Sequence, residues 1–219
     1  ARLLHIDLRE VDYLVLSHGH SDHTGGLRHF LELNTIATVV CKRSIFSPKF
    51  KDDRENGIKH TETFDLSRFR FIDQWTELLP GVVLFPSIKI EDKEDTHFER
   101  FFVQQDDGNK IPDTFEDELA VALVGDESFS VLSACSHRGI TNILRTIRNA
   151  FPGLPCELLL GGFHIHNAEE QKYHVISDYL RRYMPRQIGV CHCTGVDKYA
   201  FFCKDFGDRV FYNHTGRVI

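Results

Sequence analysis

The sequence predicts an α/β fold, and three observations support this prediction. Strand-like apolar runs alternate with helix-like segments along much of the 219-residue chain, and histidines follow the ends of several predicted strands. Hydrophobic residues make up 42% of the chain, which is enough for one large core. We therefore predict a single domain spanning residues 1–219.

The first predicted elements form a β-α-β unit. A strand is expected over 11–17, a helix over 25–34 and a second strand over 37–41. Residues 42–80 show no clear hydrophobic period and contain proline, glycine and many charges. We expect this segment to be irregular and to contribute to substrate selectivity.

The second half of the chain returns to regular patterns. Four runs joined by polar turns are expected to form an antiparallel stretch, at 82–85, 100–104, 119–124 and 129–133. Helices and strands then alternate, with a helix over 140–150, a strand over 157–160, a helix over 168–183 and a strand over 187–191.

A histidine-rich motif follows the first predicted strand directly. It reads His18-Gly19-His20-Ser21-Asp22-His23. Residues two apart in an extended segment share a face, so His18 and His20 can point toward one ion. Asp22 and His23 come next in the motif and are expected to lie near a second metal-binding position. Three imidazoles and a carboxylate at this spacing indicate a metal site.

Three later histidines also follow predicted strands, namely His137, His164 and His192. The carboxyl ends of strands are where α/β folds gather ligands, so we expect these histidines to join the site. Cys135 shares a strand face with His137 and either approaches the metal or packs as a buried thiol. Strand geometry places the cysteines on either side of His192 on the opposite face, unless the strand has already ended there. If His192 binds metal, we expect these cysteines to pack.

Two further residues are candidates for substrate binding. Arg138 either meets a substrate anion or is a solvated surface arginine. His166 lies two residues after His164 and is a candidate to line the pocket. The acidic run at 116–118 either contributes to the pocket or forms a turn before the next strand, and we favour the turn.

The motifs together resemble those of a known family, the metallo-β-lactamase superfamily. The segments that carry the resemblance are His18-x-His20-x-Asp22-His23, Ala134-Cys135-Ser136-His137-Arg138-Gly139-Ile140, Gly161-Gly162-Phe163-His164 and His192-Cys193-Thr194-Gly195. More narrowly, they are similar to a subgroup of dihydropterin-ribofuranosylaminobenzene-phosphate synthase-like proteins. The resemblance implies an αββα sandwich with one or two metal ions at the edge where its two sheets meet.

The resemblance also implies a ligand set. It assigns His18, His20 and His137 to a first metal, and Asp22, His23 and His192 to a second. Members of the superfamily usually place a metal-bridging aspartate where this chain has Gly161-Gly162-Phe163-His164, so the bridging ligand and the role of His164 stay open. The chain reaches its first motif by residue 18, and we expect the usual N-terminal strands to be missing from it.

This ligand set favours hydrolysis. A divalent ion held by imidazoles and a carboxylate lowers the pKa of bound water and polarises a phosphoryl or carbonyl oxygen. We predict a metal-dependent hydrolase acting on a small phosphorylated or otherwise anionic substrate, with Asp22 as the catalytic residue that orients the water. Zinc suits the histidines best, and manganese or iron is also compatible.

Two alternative functions stay open. One is a transferase that joins a dihydropterin-methyl diphosphate to a ribofuranosylaminobenzene phosphate, with Phe46, Phe50 and Phe64 as candidates to line a pterin pocket. The other is a noncatalytic metal-binding protein. Structural zinc sites are usually closed by four ligands that often include cysteine. Six or seven candidate ligands without a cysteine framework therefore argue against a noncatalytic protein.

Composition restricts the classes of binding partner that we expect. The net charge of -6 and the lack of a Lys/Arg cluster argue against a nucleic-acid partner. No apolar run approaches the roughly 20 residues of a membrane helix. The six cysteines lack the spacing of a disulfide scaffold, so we expect reduced thiols and a cytoplasmic protein. The expected partner is a small-molecule substrate, and self-association as a homo-oligomer stays open.

Overall fold

The computed structural model describes residues 1–219, except for the side chain of Arg2. Its strands are β1 (Tyr13–Val15), β2 (Thr38–Cys41), β3 (Lys49–Lys51), β4 (Arg54–Glu55), β5 (Phe69–Phe71), β6 (Thr76–Leu79), β7 (Val82–Phe85), β8 (Phe101–Gln104), β9 (Lys110–Pro112), β10 (Ala120–Val124), β11 (Phe129–Ser133), β12 (Cys156–Gly161), β13 (Gln187–Val190) and β14 (Val210–Tyr212). Its α-helices are α1 (Ser21–Thr24), α2 (Leu27–Leu33), α3 (Ile140–Ala150), α4 (Glu170–Arg182) and α5 (Val196–Phe206).

The chain divides into two compact units. Unit 1 comprises Ala1–Gln74 and Phe98–Leu119, and unit 2 comprises Trp75–His97 and Ala120–Ile219. Each unit is therefore built from two separate stretches of chain. The prediction of a single domain over 1–219 stays a prediction.

Unit 1 contains two small sheets. Strands β1, β2 and β5 pair in parallel in the order β1-β2-β5. Strands β4, β3, β8 and β9 form an antiparallel sheet in that order. The apolar core of the unit consists of Leu16, Leu27, Val39, Cys41, Ile45 and Phe69. Burial of each large apolar side chain contributes about 1.5–3 kcal/mol, so this core fixes the chain that leads into the histidine motif.

Unit 2 is organised around one seven-stranded sheet in the order β14-β13-β12-β11-β10-β7-β6. Strands β11 to β14 are parallel neighbours, whereas β6, β7, β10 and β11 pair antiparallel. Because β11, β12 and β13 run side by side in the same direction, the loops that follow them leave from one edge of this sheet.

Helix α3 shows how unit 2 buries its helices. Its buried residues Ile140, Ile143, Leu144 and Ile147 recur at intervals of three and four, which makes one apolar stripe. The helix begins after Gly139, whose φ of 95° lies in the region that favours glycine. The stripe packs into the core of the unit.

The α/β prediction is confirmed by this alternation of sheets and helices. The predicted antiparallel pairing is correct for 82–85, 120–124 and 129–133. Phe101–Gln104 also pairs antiparallel, but the expectation that it joins the other three runs is wrong, because β8 pairs with β3 and β9 in unit 1.

The prediction of an irregular segment over 42–80 is also wrong, since this segment contains the four short strands β3 to β6. These strands are two to four residues long, too short to show a period-2 pattern in the sequence. Among the described residues, no helix combines the length and the apolar character needed to cross a membrane.

Candidate functional site

The predicted histidine motif begins three residues after β1 ends in unit 1. We call His18, His20, Asp22 and His23 the motif cluster. His18 and His20 are buried, and their ring centroids lie 4.7 Å apart. The ring of His23 is 4.3 Å from that of His18. The extended motif therefore brings its imidazoles together, as the spacing predicts.

Asp22 and His23 lie on the short helix α1, which starts at Ser21. Asp22 is exposed and His23 is half-buried. The Nε2 atom of His23 is 3.6 Å from Oδ2 of Asp22. The carboxylate thus stands beside the imidazoles at the exposed side of the motif cluster.

The buried histidines of the motif cluster have close neighbours that restrict their rings. The Oγ atom of Ser17 lies 3.0 Å from Nδ1 of His18. The Phe115 ring meets the His20 ring edge-on at 5.1 Å, and the Phe101 ring lies 4.8 Å from the same imidazole. Packing on two sides limits ring rotation and presents the imidazoles in a fixed orientation.

A buried ion triad supports the backbone of the motif. Lys49 Nζ donates to Asp113 Oδ2 at 2.5 Å and to Asp117 Oδ1 at 2.9 Å. The other oxygen of Asp117 accepts the backbone N–H of Gly19 at 2.7 Å. All three side chains are at most 4% exposed. The loop between His18 and His20 is therefore anchored to a buried carboxylate.

The predicted acidic turn before β10 is present at 116–117, but it is not simply a solvated turn. Asp117 and Glu118 are buried, and only Glu116 is exposed. Burial raises the pKa of the Asp117 carboxyl, against the opposing effect of the Lys49 ammonium. Burial lowers the pKa of Lys49, but the carboxylates of Asp117 and Asp113 outweigh it and raise that pKa overall. Lys49 is therefore charged at neutral pH.

The later histidines gather in unit 2. We call Cys135, His137, His164, His192 and Cys193 the strand-end cluster, because they follow β11, β12 and β13. The rings of His137 and His164 lie 4.2 Å apart. Ligand atoms of Cys135, His137 and His164 lie within 4.8 Å of one another, and so do those of Cys135, His192 and Cys193. Parallel neighbouring strands produce this convergence, because their ends meet at one edge.

Three residues at these strand ends have left-handed backbones although none is glycine. They are Ser136 (φ 52°), His164 (φ 52°) and His192 (φ 47°). Such conformations are uncommon outside glycine and cost of order 1–3 kcal/mol each. Strain of this kind clusters at functional sites, which is consistent with a site at this edge.

His97 lies beside the strand-end cluster, and it was not identified from the sequence. It is buried, and its carbonyl oxygen accepts a hydrogen bond from Nδ1 of His137 at 3.2 Å. Its ring lies 5.6 Å from that of His164. His97 Nε2 is in turn 3.4 Å from Oδ1 of Asp95, whose Oδ2 accepts the backbone N–H of Thr141 at the start of α3. The sequence carries no signal of these contacts, because the partners of Asp95 and His97 lie 40 or more positions later in the chain.

Two cysteines of the strand-end cluster lie close together. The Cys135 and Cys193 sulfur atoms lie 3.4 Å apart. The hydrogen bond with Cys135 lowers the pKa of the Cys193 thiol to about 4, with the help of the nearby His164 and against the opposing effect of burial. The strand ends at Val190, so Cys193 lies in a short 3₁₀ turn and not on the strand face opposite His192. Strand geometry therefore does not set Cys193 opposite His192, and the expectation that Cys193 packs stays a prediction.

The two candidate substrate residues have different environments. Arg138 is half-buried, and its Nε donates to the carbonyl oxygen of Ile88 at 3.1 Å, so it is not a fully solvated arginine. His166 is exposed, with Nδ1 3.3 Å from Oδ1 of Asp197. Their roles toward a substrate stay predictions.

A pocket of about 550 Å³ lies beside α1 in unit 1. Its lining includes Ser21, Thr24 and Gly25 from the end of the motif, and four basic residues, Arg28, His29, Lys59 and His60. Glu32 also lines it and forms ion pairs with Arg28 and His29. The pocket is large enough for a small molecule, and its lining is suited to an anion.

The three phenylalanines considered for a pterin pocket differ in position. Phe64 lines the 550 Å³ pocket. Phe46 packs against the apolar core of unit 1. Phe50 is buried, and the Lys110 ammonium lies 3.6 Å from its ring centroid. Only Phe64, of these three, faces that pocket.

Comparison with known proteins connects these motifs to relatives. A synthase of Methanocaldococcus jannaschii, 7,8-dihydropterin-6-methyl-4-(β-D-ribofuranosyl)-aminobenzene-5′-phosphate synthase, is 27% identical, and the match covers 100% of this chain and 78% of the relative. An uncharacterised protein of the same organism is 25% identical, over 95% of this chain and 78% of its own length.

A solved structure is also closely similar. It is a metal-dependent hydrolase of the β-lactamase superfamily, with a TM-score of 0.86 and 29% identity, and the match covers 99% of this chain and 81% of that one. This confirms the predicted fold class. The model of the metallo-β-lactamase superfamily matches residues 1–137, more than half of the chain. The chain therefore belongs to the metallo-β-lactamase superfamily.

Proposed function

We propose that this protein is a metal-dependent hydrolase acting on a small phosphorylated or otherwise anionic substrate. The observation that carries the proposal is the buried imidazole pair of His18 and His20, held by packing and by an anchored loop. We further propose that the motif cluster and the strand-end cluster both supply metal ligands. The ligands would be His18, His20, Asp22, His23, His137 and His192, with His164 as an additional candidate.

The donor chemistry fits a divalent metal. Imidazole nitrogens with one carboxylate suit zinc and are compatible with manganese or iron. The Nδ1 atom of His137 is occupied by the His97 carbonyl, which leaves Nε2 as the ligand atom of that imidazole. Ser17 serves the same purpose for His18, whose Nδ1–H donates to the hydroxyl oxygen when Nε2 is the ligand. Fixed ring orientations of this kind are usual around metal-binding histidines.

Asp22 is the proposed catalytic residue of this chain. A divalent ion, when bound, supplies Lewis acidity and lowers the pKa of water to about 7. The exposed Asp22 carboxylate can accept a hydrogen bond from the attacking water and so orient its lone pair toward the substrate. The buried histidines lack this freedom, because their rings are held on both sides.

The basic pocket beside α1 supports the anionic substrate class. Arg28, His29, Lys59 and His60 provide donors that suit a phosphate or carboxylate group. The pocket adjoins the helix that carries Asp22 and His23, since Ser21 and Thr24 of that helix line it. Asp22 does not itself line the pocket, so a substrate must extend from the pocket along this helix to reach the proposed catalytic carboxylate.

The test of this function is metal-dependent turnover. We expect protein purified without chelator to contain zinc, manganese or iron and to hydrolyse bis(p-nitrophenyl) phosphate. Turnover should disappear on treatment with a chelator and return when the metal is restored. Bound metal without hydrolysis of this ester or of a phosphomonoester would contradict the hydrolase assignment.

Replacing Asp22 separates its role from the metal ligation of the histidines. We expect Asp22→Asn to lower kcat by about 10²–10⁴-fold, the contribution typical of a positioned general base. The loss should exceed the loss of metal content, measured on the same sample. Asp53→Asn is the matched control, because Asp53 is an exposed aspartate of the same unit. Equal kcat for Asp22→Asn and the control would rule out this role.

The second candidate function is a transferase like the archaeal synthase. It is favoured by the 27% identity to that enzyme over the whole chain, and Phe64 in the basic pocket offers an aromatic face for a pterin ring. The test is to supply a dihydropterin-methyl diphosphate with and without the arylamine ribofuranosyl phosphate. Diphosphate release that requires the amine supports the transferase, and release without the amine supports the hydrolase.

A further inference from the structure

Two cysteines of unit 2 approach each other closely. Cys135 follows β11, and Cys193 follows β13. Their sulfur atoms are 3.4 Å apart, and neither cysteine forms a disulfide bond. A disulfide bond is about 2.05 Å long, so the pair is not joined covalently. Two sulfur atoms that each bind one ion at about 2.3 Å are at most about 4.6 Å apart, and the observed separation lies within this limit.

The local backbone is built to bring these sulfur atoms together. The left-handed residues Ser136 and His192 turn the chain immediately after the strand ends. Gly162, which follows the intervening strand β12, leaves the space that the Cys193 sulfur occupies. A Cβ atom at position 162 would lie 2.7 Å from that sulfur. The glycine is therefore required for the approach of Cys193.

An imidazole completes the group. The ligand atoms of Cys135, Cys193 and His192 all lie within 4.8 Å of one another. Two sulfurs and one nitrogen make up three of the four ligands of a tetrahedral zinc site. The strands that carry these residues belong to one sheet of unit 2, so the group lies entirely within that unit.

The other buried cysteines are different. Burial raises the pKa of the Cys41 and Cys156 thiols to about 12 in each case. Neither belongs to a group of clustered metal-ligand atoms among the described residues. They behave as small apolar side chains and serve as internal controls.

We propose that Cys135 and Cys193 are thiolate ligands that bind one zinc-class metal ion together with His192. This inference rests on the proposed function, because it deepens the assignment of the strand-end cluster. The thiolates supply negative charge at the edge where the corner Gly161–His164 has no aspartate. Thiolates select zinc and other thiophilic ions, whereas carboxylate sites also accept manganese and magnesium. The inference therefore predicts a preference for zinc-class ions over manganese.

The test uses cobalt(II) as a spectroscopic substitute for zinc. The metal-free full chain is titrated with cobalt(II) in deoxygenated buffer containing a phosphine reductant. We expect a thiolate-to-cobalt charge-transfer band in the near ultraviolet together with visible ligand-field bands. Cys135→Ser and Cys193→Ser should each lose about half of the charge-transfer intensity, and the double variant should lose all of it. Cys156→Ser should keep it unchanged.

The outcomes separate this inference from the proposed function. Visible bands without a charge-transfer band in the unsubstituted protein would contradict ligation by the two thiolates. The proposal that the protein binds metal would be unaffected. A charge-transfer band that survives in the double variant would also overturn them. Absence of all cobalt binding would overturn both the inference and the proposed function.

A second measurement does not depend on folding of the variants. The unsubstituted protein is treated with iodoacetamide, with and without zinc, and the modified peptides are identified by mass spectrometry. We expect zinc to slow alkylation of Cys193 at least 10-fold and to leave the half-buried Cys203 unaffected. Equal alkylation of Cys193 with and without zinc would contradict its role as a ligand.

Discussion

Lys49→Met is expected to lower the free energy of unfolding by about 3–5 kcal/mol. The substitution keeps most of the volume but removes the ammonium group that neutralises Asp113 and Asp117. Two carboxylates then remain buried with no cation between them, and loss of one partner of a buried ion network carries this cost. Urea unfolding followed by circular dichroism measures the change.

The control and the rescue make this prediction specific. Lys51→Met, on the same strand but exposed, should cost less than about 1 kcal/mol, since it loses only a surface cation near the Phe101 ring. The triple variant Lys49→Met, Asp113→Asn, Asp117→Asn should recover part of the lost stability, because the buried charges are removed together. A Lys49→Met protein as stable as the Lys51→Met control would contradict the triad as described.

Replacing both buried histidines of the motif cluster has the largest expected effect on metal binding. We expect the double variant His18→Ala, His20→Ala to bind metal more than about 100-fold more weakly. Loss of a single hydrogen-bond partner of a metal ligand already weakens affinity by up to about 100-fold, and this variant loses two ligands. Turnover should fall with metal occupancy. Metal content after gel filtration and a competitive titration with a chromophoric chelator measure the loss.

The matched control for the histidine variants is His174→Ala. His174 is exposed on α4, outside both clusters, so its replacement should leave metal content unchanged. Unchanged metal binding after loss of both His18 and His20 would remove the basis of the proposed site. Circular dichroism of the double variant distinguishes loss of ligands from loss of the fold.

The sequence predicted the features that local patterns encode. His18 and His20 are two apart after an apolar run, and alternation along an extended chain is a purely local property. The strand ends before His137, His164 and His192 were also predictable, because each follows a run of apolar residues. Their convergence followed from the general rule that parallel strands in α/β folds end at one edge.

The interactions that support the site were not predictable in the same way. Asp117 reads as part of an acidic turn, and only the folded chain shows that it is buried against Lys49 and Gly19. His97 and Asp95 lie in a polar segment, and they gain a role only because they pack against residues 40 or more positions away. Charged residues become buried when long-range partners neutralise them, and a single sequence carries no direct record of those partners.

The position of Cys193 depended on where the last predicted strand ends, which the sequence left open. A strand that continued through His192 would place Cys193 on the opposite face. The strand instead ends at Val190, and the left-handed backbone at His192 redirects the next side chain. A non-glycine residue in this conformation has no sequence signature, so the approach of Cys193 to Cys135 could not be foreseen.

The anchor of the histidine loop has a consequence for synthesis of the protein on the ribosome. Gly19 and its partner Asp117 are separated by 98 positions in the chain. At roughly 5–20 residues per second, the ribosome needs roughly 5–20 seconds to extend the chain across this interval. During that time the histidines have emerged but the carboxylate that holds their loop has not been made. The histidine loop can therefore take its anchored form only after residue 117 has been translated.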